Sequence, residues 1–221
     1  MQFFARRSFA VTNVVSMAMY FGMFGSIFFL SQFMQNVLGN SPLEAGLKLL
    51  VWTGATMVVA PLAGVFSEKF GARWFMVAGV SLQGAALAWL AITASTTVSY
   101  VTMIPAFVAA GAGMALVFAP SASAILNSVR VDQAGQASGA TNAIRELGGT
   151  FGIAVLATVF SGASAYTSPQ AFVDGLVPAL WVGVAVLAFG ALVALVLPFG
   201  GKATKEEGEE FSEFHALPVA N

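Results

Sequence analysis

Leu176-Val-Pro-Ala-Leu-Trp-Val-Gly-Val-Ala-Val-Leu-Ala-Phe-Gly-Ala-Leu-Val-Ala-Leu-Val-Leu-Pro198 runs for 23 residues without a charge. A hydrocarbon core about 30 Å thick takes ~20 apolar residues of helix, so this stretch reads as a membrane span. Five more precede it, at approximately 10–37, 43–66, 74–95, 99–126 and 136–164. Turn chemistry separates them: Gly39-Asn40-Ser41-Pro42, Glu68 to Arg73, Ser95 to Thr97, Arg130 to Gly135, and Ser168-Pro169. Barrel strands alternate over about ten residues, whereas these runs are long and uniformly apolar. The fold class is an all-α membrane protein with six transmembrane helices.

Composition agrees. Of 221 residues, 58% are hydrophobic and 9% charged, against roughly 25% charged in a soluble domain. A net charge of −1 and few lysines argue against a nucleic-acid surface. With no cysteine there is no disulfide scaffold, Cys-ligated metal or thiol nucleophile. The single histidine, His215, lies in a charged tail, and the two aspartates, Asp132 and Asp174, fall in loops on opposite sides. An intramembrane hydrolase needs a buried Ser–His pair, two aspartates or metal ligands. An enzyme is therefore excluded, and no metal or cofactor is expected.

Seven of the nine Lys and Arg residues fall on the side holding both ends: Arg6, Arg7, Lys69, Arg73, Arg130, Lys202 and Lys205. Lys48 alone marks the other side, and this asymmetry places both termini in the cytoplasm. Arg6-Arg7-Ser8-Phe9 superficially matches a twin-arginine signal, but the apolar run exceeds a 7–15-residue signal core, so it reads as a helix anchor. Residues 1–198 form the bundle, and 199–221, with five Glu between 206 and 213, are expected to be a disordered acidic tail.

A shift of 94 residues aligns positions 54–67 with 148–161 at eight identities, among them Gly54 with Gly148, Thr56 with Thr150 and Phe66 with Phe160. Ninety-four residues is three spans with loops, so the shift pairs helices of opposite direction, as in a 3+3 inverted repeat.

The chemistry concentrates in the fifth span. Ser138, Thr141, Asn142, Arg145 and Gly149 recur at three- and four-residue steps and share one stripe. Arg145 lies about 16 Å along the helix from Ala134, at 1.5 Å per residue, close to the midplane. A guanidinium there costs ~2.5 kcal/mol or more without a partner. Two readings fit it: a lock that hydrogen-bonds a neighbouring helix, or a group that handles substrate or coupling ion. A third is shallow placement by a shifted helix start. Glu146, about 100° round the helix, is expected to pair with another helix or water and to act with Arg145 as one electrostatic unit.

Gly135/Gly139 and Gly148/Gly152, each four apart, are expected to bring backbones close. Pro105, Gly111, Gly113 and Pro120 in the fourth span suit a bend, either static or used in rocking. Gly64 to Arg73, with Glu68, Lys69 and Gly71, reads either as an ordinary basic loop or as a cytoplasmic gate in which carboxylate and cation pair across helices. Gln32, Gln35 and Gly39 share a face of the first span, and the amides either line a pocket or satisfy one another. Glu44 and Lys48 read as a structural i,i+4 ion pair.

Several of these stretches together resemble the C-terminal half of a major facilitator superfamily transporter, in its branch of fourteen-helix drug–proton antiporters. Gln35-Asn-Val-Leu-Gly39-Asn-Ser41-Pro42-Leu-Glu-Ala45-Gly46-Leu47 is similar to the link between the first two helices of that half. Gly64 to Arg73 is similar to the superfamily's cytoplasmic loop motif, with Glu68 for its usual Asp and Ala72 for its first Arg. Gly111-Ala-Gly113-Met-Ala115…Pro120 resembles the branch's glycine-rich helix, with Ala115 where a third Gly is common, and Ser138 to Gly152 is the most specific match. The resemblance implies a half major facilitator fold in the plasma or inner membrane. It also implies proton-driven efflux of a small amphipathic or cationic compound, with an N-terminal six-helix bundle or a second chain as partner. The alternative is a membrane-embedded structural or assembly subunit that transports nothing.

Overall fold

The computed structural model describes residues 7–126, 129, 131–161 and 166–197, apart from the side chains of Glu68 and Val131. Arg6, Arg130, His215 and the acidic tail 199–221 lie outside the described residues. Six helices account for nearly all of it: α1 (Arg7–Asn36), α2 (Pro42–Phe70), α3 (Ala72–Thr93), α4 (Tyr100–Leu126), α5 (Ala134–Ser161) and α6 (Pro169–Ala194). A 3-10 turn, Val131–Gln133, leads into α5. Each helix is long and apolar enough to cross a membrane.

The helix starts follow their caps. Ser41 closes a capping box on α2, accepting from the Glu44 amide at 3.3 Å while Glu44 Oε2 accepts from the Ser41 amide at 2.8 Å; caps of this kind are worth ~1 kcal/mol. The expected Glu44–Lys48 ion pair is not formed. The Glu44 carboxylate is taken by the cap, and Lys48 instead donates to Asn40 Oδ1 and lies 5.3 Å from the centre of the Tyr100 ring. Helix α6 begins at Pro169 rather than 176, because Ser168 accepts from the Ala171 amide at 3.1 Å and Pro169 supplies a first-turn φ. Its first turns, through Gln170 and Asp174, are polar. Counting apolar residues alone therefore starts the helix too late.

The stretch read as a loop from Gly64 to Arg73 is almost entirely helix. Only Gly71 interrupts it, at φ +88°, a conformation other residues adopt at a cost, with its amide bonded to the Ser67 carbonyl at 2.9 Å. Helices α2 and α3 thus reverse direction on a single residue.

Helix α1 packs against α5 and α6, α4 against α2 and α3, and α3 against α6. Exchanging α1–α3 for α4–α6 leaves this pattern unchanged. The register of the contacts obeys the same exchange. Gly148 on α5 stands against the Met17 backbone of α1, and the equivalent positions 94 residues away are Gly54 and Gly111. Gly111 meets the Trp52 carbonyl and receives a 3.0 Å hydrogen bond on its own carbonyl from Thr56, one contact on each side of Gly54. The two halves of the bundle are built alike, in opposite directions.

Small residues decide these approaches, because lipid offers no hydrophobic drive between helices and close packing must supply the attraction. A Cβ on Gly148 would lie 2.5 Å from the Met17 carbonyl, and one on Gly152 would overlap the Phe21 carbonyl. Gly149 abuts Phe24, while Gly79 and Gly113 bring α3 and α4 together. Gly135 and Gly139 differ: among the described residues nothing lies within 4 Å of the Cβ position at either. The close contact expected of that pair is not made among the described residues. Helix α4 continues through both Pro105 and Pro120.

At one end of the bundle Phe29, Phe160 and Phe172 form an aromatic lock, with centroids 4.8 and 4.7 Å apart, and such pairs add ~0.5–1.5 kcal/mol each. Sixty-one per cent of the most apolar stretch of α1 is buried, against 11% of that of α2. Helix α1 is therefore central and α2 peripheral, with Met57, Val58, Leu62 and Val65 exposed.

Candidate functional site

The start of α1, the end of α4 and the start of α5 meet at the opposite end from the aromatic lock. Contacts of α5 with α1 run in parallel, from Gly148 at Met17 through Gly152 at Phe21 to Leu156 at Gly25. This register brings Thr12, Asn13 and Ser16 of α1 to the level of Arg145. All three are buried, and among the described residues Thr12 Oγ1, Asn13 Oδ1 and Ser16 Oγ make no hydrogen bond. The Asn13 amide nitrogen donates to the Phe9 carbonyl at 2.9 Å.

Arg145 is 6% exposed. Its Nη2 donates to Ser121 Oγ of α4 at 2.7 Å, and Ser121 in turn donates to the Phe118 carbonyl at 2.9 Å. The guanidinium carbon lies 4.9 Å from the Phe118 ring centre and 5.8 Å from that of Tyr20. Nε makes no hydrogen bond among the described residues. Contacts with rings stabilise a cation by ~0.5–2 kcal/mol but carry no countercharge. Between α4 and α5, beside the guanidinium, is a recess of about 190 Å³ lined by Ile125, Leu126, Ser138, Thr141, Asn142 and Arg145.

Of the candidate cavity residues, Asn142 and Arg145 come together here. Glu146 is exposed and does not line the recess. Gln32 and Gln35, at the far end of α1, are separate: Gln32 lies twelve residues beyond Tyr20, roughly 18 Å along the helix. There Gln32 Oε1 accepts from Tyr166 at 2.8 Å, and Gln35 donates to the Ser31 carbonyl and hydroxyl at 3.1 Å. A single cavity shared by Gln32 and Arg145 is therefore not what this bundle forms by itself.

In the expected gating segment, Gly64 is half-buried, with Ala119 Cβ 3.9 Å from its Cβ position. Lys69 is exposed beside Phe70, and the Arg73 guanidinium lies 5.3 Å from the Trp74 ring centre. The Glu68 side chain lies outside the described residues. Sequence reasoning missed Ser121, Tyr20 and the Thr12, Asn13, Ser16 group. The available signals were a hydroxyl directly after Pro120 in an apolar helix and three polar residues within five positions of α1.

The model of the Major Facilitator Superfamily matches residues 12–220. The chain belongs to that superfamily. Its six helices long and apolar enough to cross a membrane agree with that membership. It is 30% identical over 166 residues to the tetracenomycin C resistance and export protein of Streptomyces glaucescens, covering 75% of this chain and 31% of that one. It is 31% identical over 158 residues to multidrug resistance protein Stp of Mycobacterium tuberculosis, covering 72% and 29%. The chain thus matches just under a third of the length of these relatives. A solved structure from work on substrate recognition in proton dependent oligopeptide transporters superposes with a TM-score of 0.74, covering 96% of this chain and 46% of that one. At 17% identity that likeness concerns the fold.

Proposed function

We propose that the chain is the C-terminal six-helix bundle of a proton-coupled drug efflux antiporter in the plasma membrane, with both ends in the cytoplasm. The observation carrying this reading is superfamily membership over 12–220 together with relatives named for drug resistance and export. The excess of Lys and Arg on one side supports the orientation, and the proton part rests on the antiporter resemblance. An N-terminal six-helix bundle is the proposed partner. The exposed apolar faces of α2 and α5, with Met57, Val58, Leu147 and Phe151, are available to it or to lipid. The substrate is a small amphipathic or cationic compound.

Mechanically, the glycine contacts fix α1 on α5 and α4 on α2, so the bundle moves as one body. Rocking against the companion bundle would alternately open the Gln32 end and the Arg145 end. Everted vesicles carrying the chain with its N-terminal bundle should accumulate ethidium when a proton gradient is imposed, and should lose it when nigericin collapses the gradient. Accumulation that is absent, or indifferent to the ionophore, would contradict the reading.

A further inference from the structure

We propose that the recess between α4 and α5 is an oxyanion site, taking the carboxylate or phosphate group of a small amphiphile. The argument begins with charge. The Arg145 guanidinium is 6% exposed, and among the described residues no carboxylate pairs with it and no acidic side chain lines the recess. A cation held at that depth is costly until a negative group meets it.

The lining supplies what an oxyanion needs. Arg145 is held at one edge by Ser121, while its Nε–H has no acceptor among the described residues. A guanidinium presents donors in a planar fork that matches the two oxygens of a carboxylate or phosphate. One helical turn away, Thr141 is 3% exposed with its hydroxyl unpartnered among the described residues, and Ser138 and Asn142 add further donors. The remaining wall, Ile125 and Leu126, is apolar and suits the body of an organic anion. A recess of about 190 Å³ is over ten times the ~10–15 Å³ of cavity that a single water needs. The site goes beyond the transport reading and stands without it, because occupancy is measurable at equilibrium.

Radiolabelled benzoate is the probe, applied to the intact membrane protein in phosphatidylcholine nanodiscs. Saturable binding is expected that benzyl alcohol does not displace. Arg145→Met should weaken it at least tenfold and Thr141→Val about tenfold, the low end for one hydrogen bond to a charged group. Repeating the titration with phosphatidylglycerol in the disc distinguishes the sources: a lipid headgroup that uses the site competes with benzoate, whereas a soluble anion's site is unaffected.

A second measurement does not depend on how well Arg145→Met folds. In these 221 residues, which contain no cysteine, Asn142→Cys should react at least tenfold faster with an anionic methanethiosulfonate than with its cationic analogue, and benzoate should protect it. Absence of benzoate binding, as when a companion bundle's carboxylate fills the recess, would overturn the proposal. So would equal binding in Arg145→Met, or a faster cationic reagent.

Discussion

Gly152→Leu is expected to prevent α5 from seating on α1 and to abolish recovery of monodisperse protein in detergent. The glycine faces the Phe21 backbone, and its added Cβ would meet the Phe21 carbonyl and lie 2.9 Å from the Phe21 Cα. A backbone atom within a helix cannot turn aside as a side chain can. Overpacking typically costs ~1–3 kcal/mol, and here the remaining three carbons of leucine must also find room. Gly139→Leu is the matched control. Among the described residues nothing lies within 4 Å of its Cβ position, so its effect on stability should remain within about 0.5 kcal/mol, as for ordinary surface changes. Fluorescence-detected size exclusion followed by a thermal melt separates the two. Equal behaviour of the pair would mean that the helix contact is not set by Gly152.

The second large effect concerns Arg145. In Arg145→Met most of the side-chain volume is kept, in a shorter chain, and the charge is removed. Ser121 loses a donor but retains its own bond to the Phe118 carbonyl, so no buried hydroxyl hydrogen is orphaned. Replacing a buried charge by an apolar residue of similar volume is often neutral or stabilising by ~1–4 kcal/mol. The melting temperature of Arg145→Met should therefore hold or rise. Proton-driven efflux should nevertheless fall at least tenfold, equivalent to ~1.4 kcal/mol. If Arg145 served only to lock α4 to α5, stability and efflux would fall together. A melt and a vesicle assay on the same preparation distinguish the two roles.

Much of the fold was readable because bilayer thickness imposes a length on each apolar run, and because Gly, Ser and Pro mark the breaks. Where the reading slipped, local chemistry overrode hydropathy. Ser168 and Pro169 start α6 while the chain is still polar, and Gly71 turns the chain within one residue, so the expected loop contracts to a point. The 94-residue echo correctly pairs α2 with α5. It does not reveal that in the α1–α5 contact the small residue is on α5, while in its counterpart the small residue is on α4. The functional side was less legible. Periodicity places Ser138, Thr141, Asn142 and Arg145 on one stripe, and most of that stripe lines the recess. Periodicity within one helix says nothing of Ser121 or Tyr20, which are brought to the guanidinium by other helices. For the same reason Gln32 and Arg145 could not be told apart as sites: their separation is set by the α1–α5 register, which only the packed bundle fixes.

Cysteine labelling from the two sides of the membrane is the most direct test, since these 221 residues contain no cysteine. With an impermeant maleimide, Lys69→Cys and Gln170→Cys should label from opposite sides. Leu147→Cys and Phe151→Cys, two and six residues beyond Arg145 and near the middle of α5, should label from neither. Labelling of Lys69→Cys and Gln170→Cys from the same side, or of Leu147→Cys as readily as Lys69→Cys, would contradict a six-span bundle in which the middle of α5 lies within the membrane; the register of α5 on α1 sets Arg145 nearer the Lys69 side than the midplane expected from the sequence.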